Sequence, residues 1–75
     1  MKTIREQQRN RALGAKVRDI RRSQNMTQEH LAKRMGMARR TIQMYEQGSL
    51  GMSVAKLEQV AGILQVPVTD ILGYR

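Results

Sequence analysis

Arg39 and Arg40 stand side by side in the stretch GMARRTIQMYEQG, residues 36 to 48. The spacing of Ile42 and Tyr45 places both arginines in the first turn of a short helix. A guanidinium group is a planar fork of N–H donors, suited to paired acceptors on an anionic or polar partner. The first turn of a helix already carries partial positive charge, so two cations there cost the free chain stability. An acidic residue would suit that turn. Keeping two arginines there implies a negative partner that the chain itself does not supply.

Other chemistry is poorly represented. His30 is the single histidine, beside Glu29, and an imidazole with no ligand set and no second catalytic partner supports neither metal binding nor acid–base work. It reads as a surface histidine. The chain has no cysteine, hence no disulfide framework and no thiolate metal site. Glycines 36, 48, 51, 62 and 73 mark turns and helix ends and lack the spacing of a phosphate loop. No catalytic site, metal, cofactor or small-molecule ligand is expected, and the chain is not expected to be an enzyme.

The formal net charge is +8, unevenly placed: residues 1 to 40 hold 12 Lys and Arg against three acidic residues, while residues 41 to 75 hold two against three. An excess of this size implies a polyanion, either nucleic acid or an anionic membrane surface, with simple solubility as the plain alternative. No stretch approaches the roughly 20 apolar residues of a membrane span, and residues 1 to 13 lack the apolar run of a signal peptide. A cytoplasmic location is expected.

The elements that position the arginines follow from periodicity. Seventy-five residues without Phe or Trp make one small domain whose core is built from Leu, Ile, Val, Met and Ala. Apolar residues recur at three- and four-residue steps and no strand alternation appears, which predicts an all-α compact bundle of about five short helices. The first carries Leu13, Val17 and Ile20 on one stripe, with Asn25 as a left-handed stop. Thr27 caps the second, with Leu31, Ala32 and Met35 inward before Gly36. The third runs from about Arg39 to Gln47. Gly48 and Gly51 bracket a loop, Ser53 caps a fourth helix with Leu57, Val60, Ala61 and Leu64 inward, and VPVTDILG makes a last turn. Residues 1 to 12 read as a basic N-terminal arm or a frayed extension of the first helix, and residues 13 to 75 as the domain proper.

Two short helices meeting at a steep angle need a small residue at their close approach and a residue tolerant of positive φ at the turn. Ala32 and Gly36 fill those places, with Leu31, Met35, Met37, Ile42 and Tyr45 as the inward contacts. A β-branched residue at Gly36 is expected both to strain the turn and to push the two helices apart. On LGAKVRDIRRSQNMTQEHLAKRMG, TIQMYEQG and LEQVAGILQVPVTDIL, in this order and separation, the chain resembles the helix-turn-helix domains of the lambda-repressor and Cro type, the XRE family, over roughly residues 13 to 73. Two departures stand out. Ala38 replaces the usual Ser or Thr cap of the third helix, and Gln43 stands where Ser is common.

Turning the third helix at about 100° per residue places Ala38, Ile42 and Tyr45 on one side and Arg40, Gln43, Met44 and Gln47 on the other, with Arg39 and Thr41 on the flanks. Such a face fits the major groove of B-DNA, where Arg pairs with guanine O6 and N7. The resemblance implies that Arg39, Arg40, Gln43 and Met44 read bases, Met44 offering an apolar tip to a thymine methyl. It further implies that Gln28 and Thr41 contact the DNA backbone, and that Arg21 and Glu46 form a partly buried structural ion pair. Lys16, Arg18, Arg22, Lys33 and Arg34 read as solvated charge or diffuse phosphate attraction.

The expected function is sequence-specific binding of double-stranded DNA by a transcriptional regulator, with repression by operator occlusion as the default. A helix-turn-helix protein-interaction module and an antitoxin component of a toxin–antitoxin pair are the alternatives. A homodimer, at least on DNA, is expected from the small footprint of one recognition helix and from the apolar run Val66, Val68, Ile71, Leu72 and Tyr74.

Overall fold

Thr3 and Glu6 set the start of the first helix. In the computed structural model, which describes residues 3 to 73, the Thr3 hydroxyl accepts the Glu6 backbone N–H at 3.1 Å and α1 runs Ile4–Ser23. Residues 4 to 12 are therefore helical and continuous with the amphipathic part that begins at Leu13. The helix stops where Asn25 adopts φ 57, the left-handed conformation that a short polar side chain tolerates. Thr27 then caps α2 (Gln28–Met35) by accepting the His30 N–H at 3.0 Å. α3 (Arg39–Gln47) and α4 (Val54–Leu64) follow, α4 capped by Ser53 on the Lys56 N–H at 3.2 Å. α5 (Val68–Leu72) closes the bundle. The described chain is all-helical.

The core gathers one stripe from each helix. Val17 of α1, Leu31 of α2, Ile42 of α3, and Leu57, Val60 and Leu64 of α4 are almost completely buried, joined by Ile71 of α5. Gln24 ties the far corner together, its side-chain amide donating to the Leu64 carbonyl at 2.6 Å. The C-terminal apolar run is largely spent on this core. Ile71 is buried, while Val66, Val68 and Leu72 are half-buried against it; Tyr74 lies outside the described residues.

Among the glycines, the tightest approach is at Gly14, where α1 crosses α3. A Cβ there would collide with the Tyr45 carbonyl oxygen and lie 2.8 Å from that of Glu46. Farther along, a Cβ on Gly48 (φ +80) would lie 2.7 Å from the Arg11 Cα, and one on Gly51 would lie 3.1 Å from the Asn10 side chain. The N-terminal part of α1 thus lies against the end of α3 and the loop after it. Gly36 is different from the expectation. Its φ is +66, as the turn requires, but a Cβ there meets nothing within 4 Å, so an alanine would strain the backbone without separating the helices.

These two glycines make a paired test by urea denaturation. Gly14→Ala is expected to lose about 2–3 kcal/mol through a backbone clash, as overpacking does. Gly36→Ala is expected to lose only about 1 kcal/mol, the cost of a left-handed backbone alone. Equal losses would show that the α1–α3 crossing is looser than described.

Candidate nucleic-acid interface

α3 is presented by an uncapped turn. Ala38 occupies the cap position in an extended conformation and makes no side-chain hydrogen bond, and the first turn holds no acidic residue. Arg39 and Arg40 emerge there, both exposed, and Gln47 is exposed at the other end of the same face. Thr41, Gln43 and Met44 are half-buried, so the middle of the outward face is more closely packed than the helical wheel alone suggests. The far end is anchored through the Met44 carbonyl, which accepts the Ser49 and Leu50 backbone N–H groups at 3.1 and 3.3 Å and the Ser49 hydroxyl at 3.2 Å.

Behind this face, Arg21 and Glu46 are the buried charged residues among those described, 6% and 5% exposed. Arg21 Nε donates to Glu46 Oε2 at 2.6 Å and Nη2 donates to Oε1 at 2.9 Å, a forked pair. The burial is complete where the sequence suggested a partial one. The remaining arm of the guanidinium, Nη1, donates to the Met26 carbonyl at 2.7 Å and so fixes the turn ahead of α2. Gln28, the expected backbone-contacting residue, joins this network as well: its Nε2 donates to Glu46 Oε1 at 3.1 Å. One N–H of that amide is therefore held inward, leaving the second N–H and the carbonyl for a ligand.

The expected site residues accordingly form one assembly. Arg39 and Gln28 line a common open cleft with Arg22 and Thr27, and Arg40, Gln43 and Met44 continue the face along α3. Sequence position alone gives Arg22 no specific place, and it marks neither Gly14 nor Gln24 as a packing residue. An isolated glycine inside a helical pattern is the available signal for Gly14. His30 is exposed. Among the described residues no group of three or more His, Cys, Asp or Glu is placed to hold a metal, and no helix is long and apolar enough to cross a membrane.

The helix-turn-helix family model matches residues 17–71 of this chain. The chain belongs to the helix-turn-helix family of the lambda-repressor type. A protein of Archaeoglobus fulgidus named an uncharacterized HTH-type transcriptional regulator is 36% identical over 56 residues, covering 75% of this chain and 79% of that one. A second, y4aM of Sinorhizobium fredii, bears the same kind of name and is 35% identical over 54 residues, 72% of this chain but only 38% of that protein. In fold, this helix-turn-helix domain is similar to the restriction-modification controller protein C.AhdI from Aeromonas hydrophila, with a TM-score of 0.78 at 22% identity over 83% of this chain and 94% of that one.

The buried pair carries its own test. Arg21→Ala or Glu46→Ala should each cost about 3–5 kcal/mol, because the partner is left charged, buried and unpaired. In a double-mutant cycle the two losses should be strongly non-additive. Additive losses would mean that the two side chains act independently.

Proposed function

We propose that this protein is a sequence-specific double-stranded DNA-binding transcriptional regulator that works in the cytoplasm without enzymatic activity. The observation that carries the reading is the uncapped first turn of α3, which projects two exposed arginines from a helix fixed from behind by a buried ion pair. A phosphate or base edge at that turn supplies the negative charge and the acceptors that the chain withholds. The names of the two relatives, HTH-type transcriptional regulators, support the same reading.

In this reading α3 enters the major groove with its N-terminal end leading. Arg40 pairs with the O6 and N7 acceptors of a guanine, Arg39 and Gln43 read neighbouring edges, and the exposed part of Met44 meets a thymine methyl. Gln28, oriented by Glu46, and Thr41 hold the DNA backbone and set the register. A protein-interaction role for α3 would call for an apolar outward surface, and the half-buried Met44 is a poor one. The regulator represses by occupying its operator. Two copies bind a pair of half-sites about 34 Å apart, and sedimentation on a two-half-site duplex should show two chains per duplex, a single chain counting against the dimer.

Selection of bound sequences from random duplex DNA tests the proposal directly, and failure to enrich any sequence would overturn it. On the selected operator Arg40→Ala should cost about 1–3 kcal/mol and relax preference at one base position per half-site. Arg40→Lys is the sharper variant, since it keeps the charge but loses the planar fork. Full discrimination by Arg40→Lys, together with a uniform loss by Arg40→Ala on every sequence, would make Arg40 an electrostatic anchor and remove it from the reading face.

A further inference from the structure

Two open clefts flank α3, one at each end, and α1 supplies a wall of both. At the C-terminal end, Gln7 and Arg11 face Gln47, Gly48 and Ser49 across a cleft of about 340 Å³. At the N-terminal end, Arg22 lines a second cleft, of about 450 Å³, with Gln28, Glu29 and Arg39. α1 therefore runs antiparallel beside α3, and the two helices meet at Gly14 between the clefts.

On a helix of 3.6 residues per turn, positions 7, 11, 18 and 22 fall within about 60° of one another. Three of the four are arginines. Arg11 and Arg22 are exposed, and the Arg18 side chain is 40% exposed, with Asp19 Oδ1 at 3.5 Å from its Nε. Arg5, Arg9 and Lys16, also exposed, form a separate stripe about 150° away. Apart from the buried Arg21, the basic residues of α1 are thus divided between one edge continuous with the outward face of α3 and one edge turned away from it.

We infer that the edge made by Gln7, Arg11, Arg18 and Arg22 is a second, sequence-blind binding surface for double-stranded DNA, gripping backbone phosphates beside the groove that α3 occupies. The inference rests on the regulator reading above. Charge complementarity and continuity with α3 select the occupant. The edge rises about 22 Å from Gln7 to Arg22, against about 13 Å for the whole of α3, so it reaches past the reading helix and lengthens the footprint on the backbone. Gln7 and Arg11 precede residues 17–71, the segment that matches the family. Arginine contacts to phosphate fix position without carrying base information. The expected signature is a change in salt dependence with sequence preference intact.

The test uses the full chain in three forms: wild type, Arg11→Ala/Arg18→Ala/Arg22→Ala, and the charge-matched Arg5→Ala/Arg9→Ala/Lys16→Ala. Binding to a mixed-sequence duplex and to the selected operator is measured by fluorescence anisotropy over a salt series, with thermal unfolding followed for each form. The slope of log affinity against log salt should become shallower by about 0.9 for each phosphate that is no longer neutralised, hence by about 2–3 for the first variant and by less than about one for the second. The ratio of operator to mixed-sequence affinity should be unchanged in both. If the first variant fails to fold, Arg11→Ala/Arg22→Ala removes the two exposed arginines, and its slope should fall by about 1–2. Equal slopes for the two charge-matched variants would overturn the edge while leaving the α3 reading intact, provided Arg40→Ala still weakens the operator. A changed operator preference in the first variant would overturn its sequence-blind character. Wild-type protein that binds neither duplex would overturn the regulator reading and the edge together.

Discussion

A guanidinium and a carboxylate each cost several kcal/mol to remove from water, and in this chain Arg21 and Glu46 are held where each offsets the other's loss. The pair sits where α1, α3 and the start of α2 meet. Arg21 comes from α1, Glu46 from α3, the Met26 carbonyl from the turn before α2, and Gln28 from the first residue of α2. An apolar contact of the same volume would stabilise the bundle as well or better, since hydrophobic replacement of buried pairs is often neutral or favourable. What an apolar contact lacks is direction. The fork fixes the angle of α3 relative to α1 and sets the orientation of the Gln28 amide, so α3 and the Gln28 side chain share one reference point.

Direction alone does not fix distance, and the separation of α1 and α3 is set by Gly14. With no Cβ between them, the α1 backbone comes against the Tyr45 and Glu46 carbonyls, which brings Arg21, farther along the same face of α1, within reach of Glu46. The same approach lays the first part of α1 along the end of α3, where Gly48 faces the Arg11 backbone. Helix interiors disfavour glycine by about 1 kcal/mol relative to alanine. Here that local cost is outweighed by close helix packing that no other residue permits.

Much of this was legible in the sequence because it depends on short-range chemistry. The caps at Thr27 and Ser53, the left-handed residues Asn25 and Gly36, and the inward residues of α2, α3 and α4 follow from side-chain type and helical spacing. Periodicity leaves the N-terminal extension of α1 open against an arm, because no apolar stripe precedes Leu13; the Thr3–Ile4–Arg5–Glu6 pattern at its start carries the local signal that decides between them. Gly14 and the reach of Gln24 to Leu64 were not legible, because they depend on where a distant helix lies. The open space around a Cβ at Gly36 was hidden for the same reason. A turn glycine is needed for φ or for space, and local sequence does not distinguish the two. On the outward face of α3, the helical wheel separated Arg40 and Gln47 from Ile42 and Tyr45, but it could not show that Gln43 and Met44 are half-buried.

The first turn of α3 remains the place where local rules are broken together. It lacks a capping side chain, it has no acid to meet the helix dipole, and it carries two adjacent arginines. Each departure disfavours the free helix, by about 0.5–2 kcal/mol for a missing cap and about 0.3–1 kcal/mol for a cation at the wrong end. The rest of the bundle absorbs this, since α3 is held by the buried pair, by Ile42 in the core and by the carbonyl anchor at Met44. A Ser or Thr at position 38 and an acid in the first turn would stabilise the free domain. Both would also occupy or repel at the N–H groups and positive field that, in the proposed complex, an incoming phosphate or base edge meets. Local instability at this turn and affinity for a polyanion are therefore two consequences of the same residues, and the ion pair behind α3 is what allows the fold to carry the first for the sake of the second.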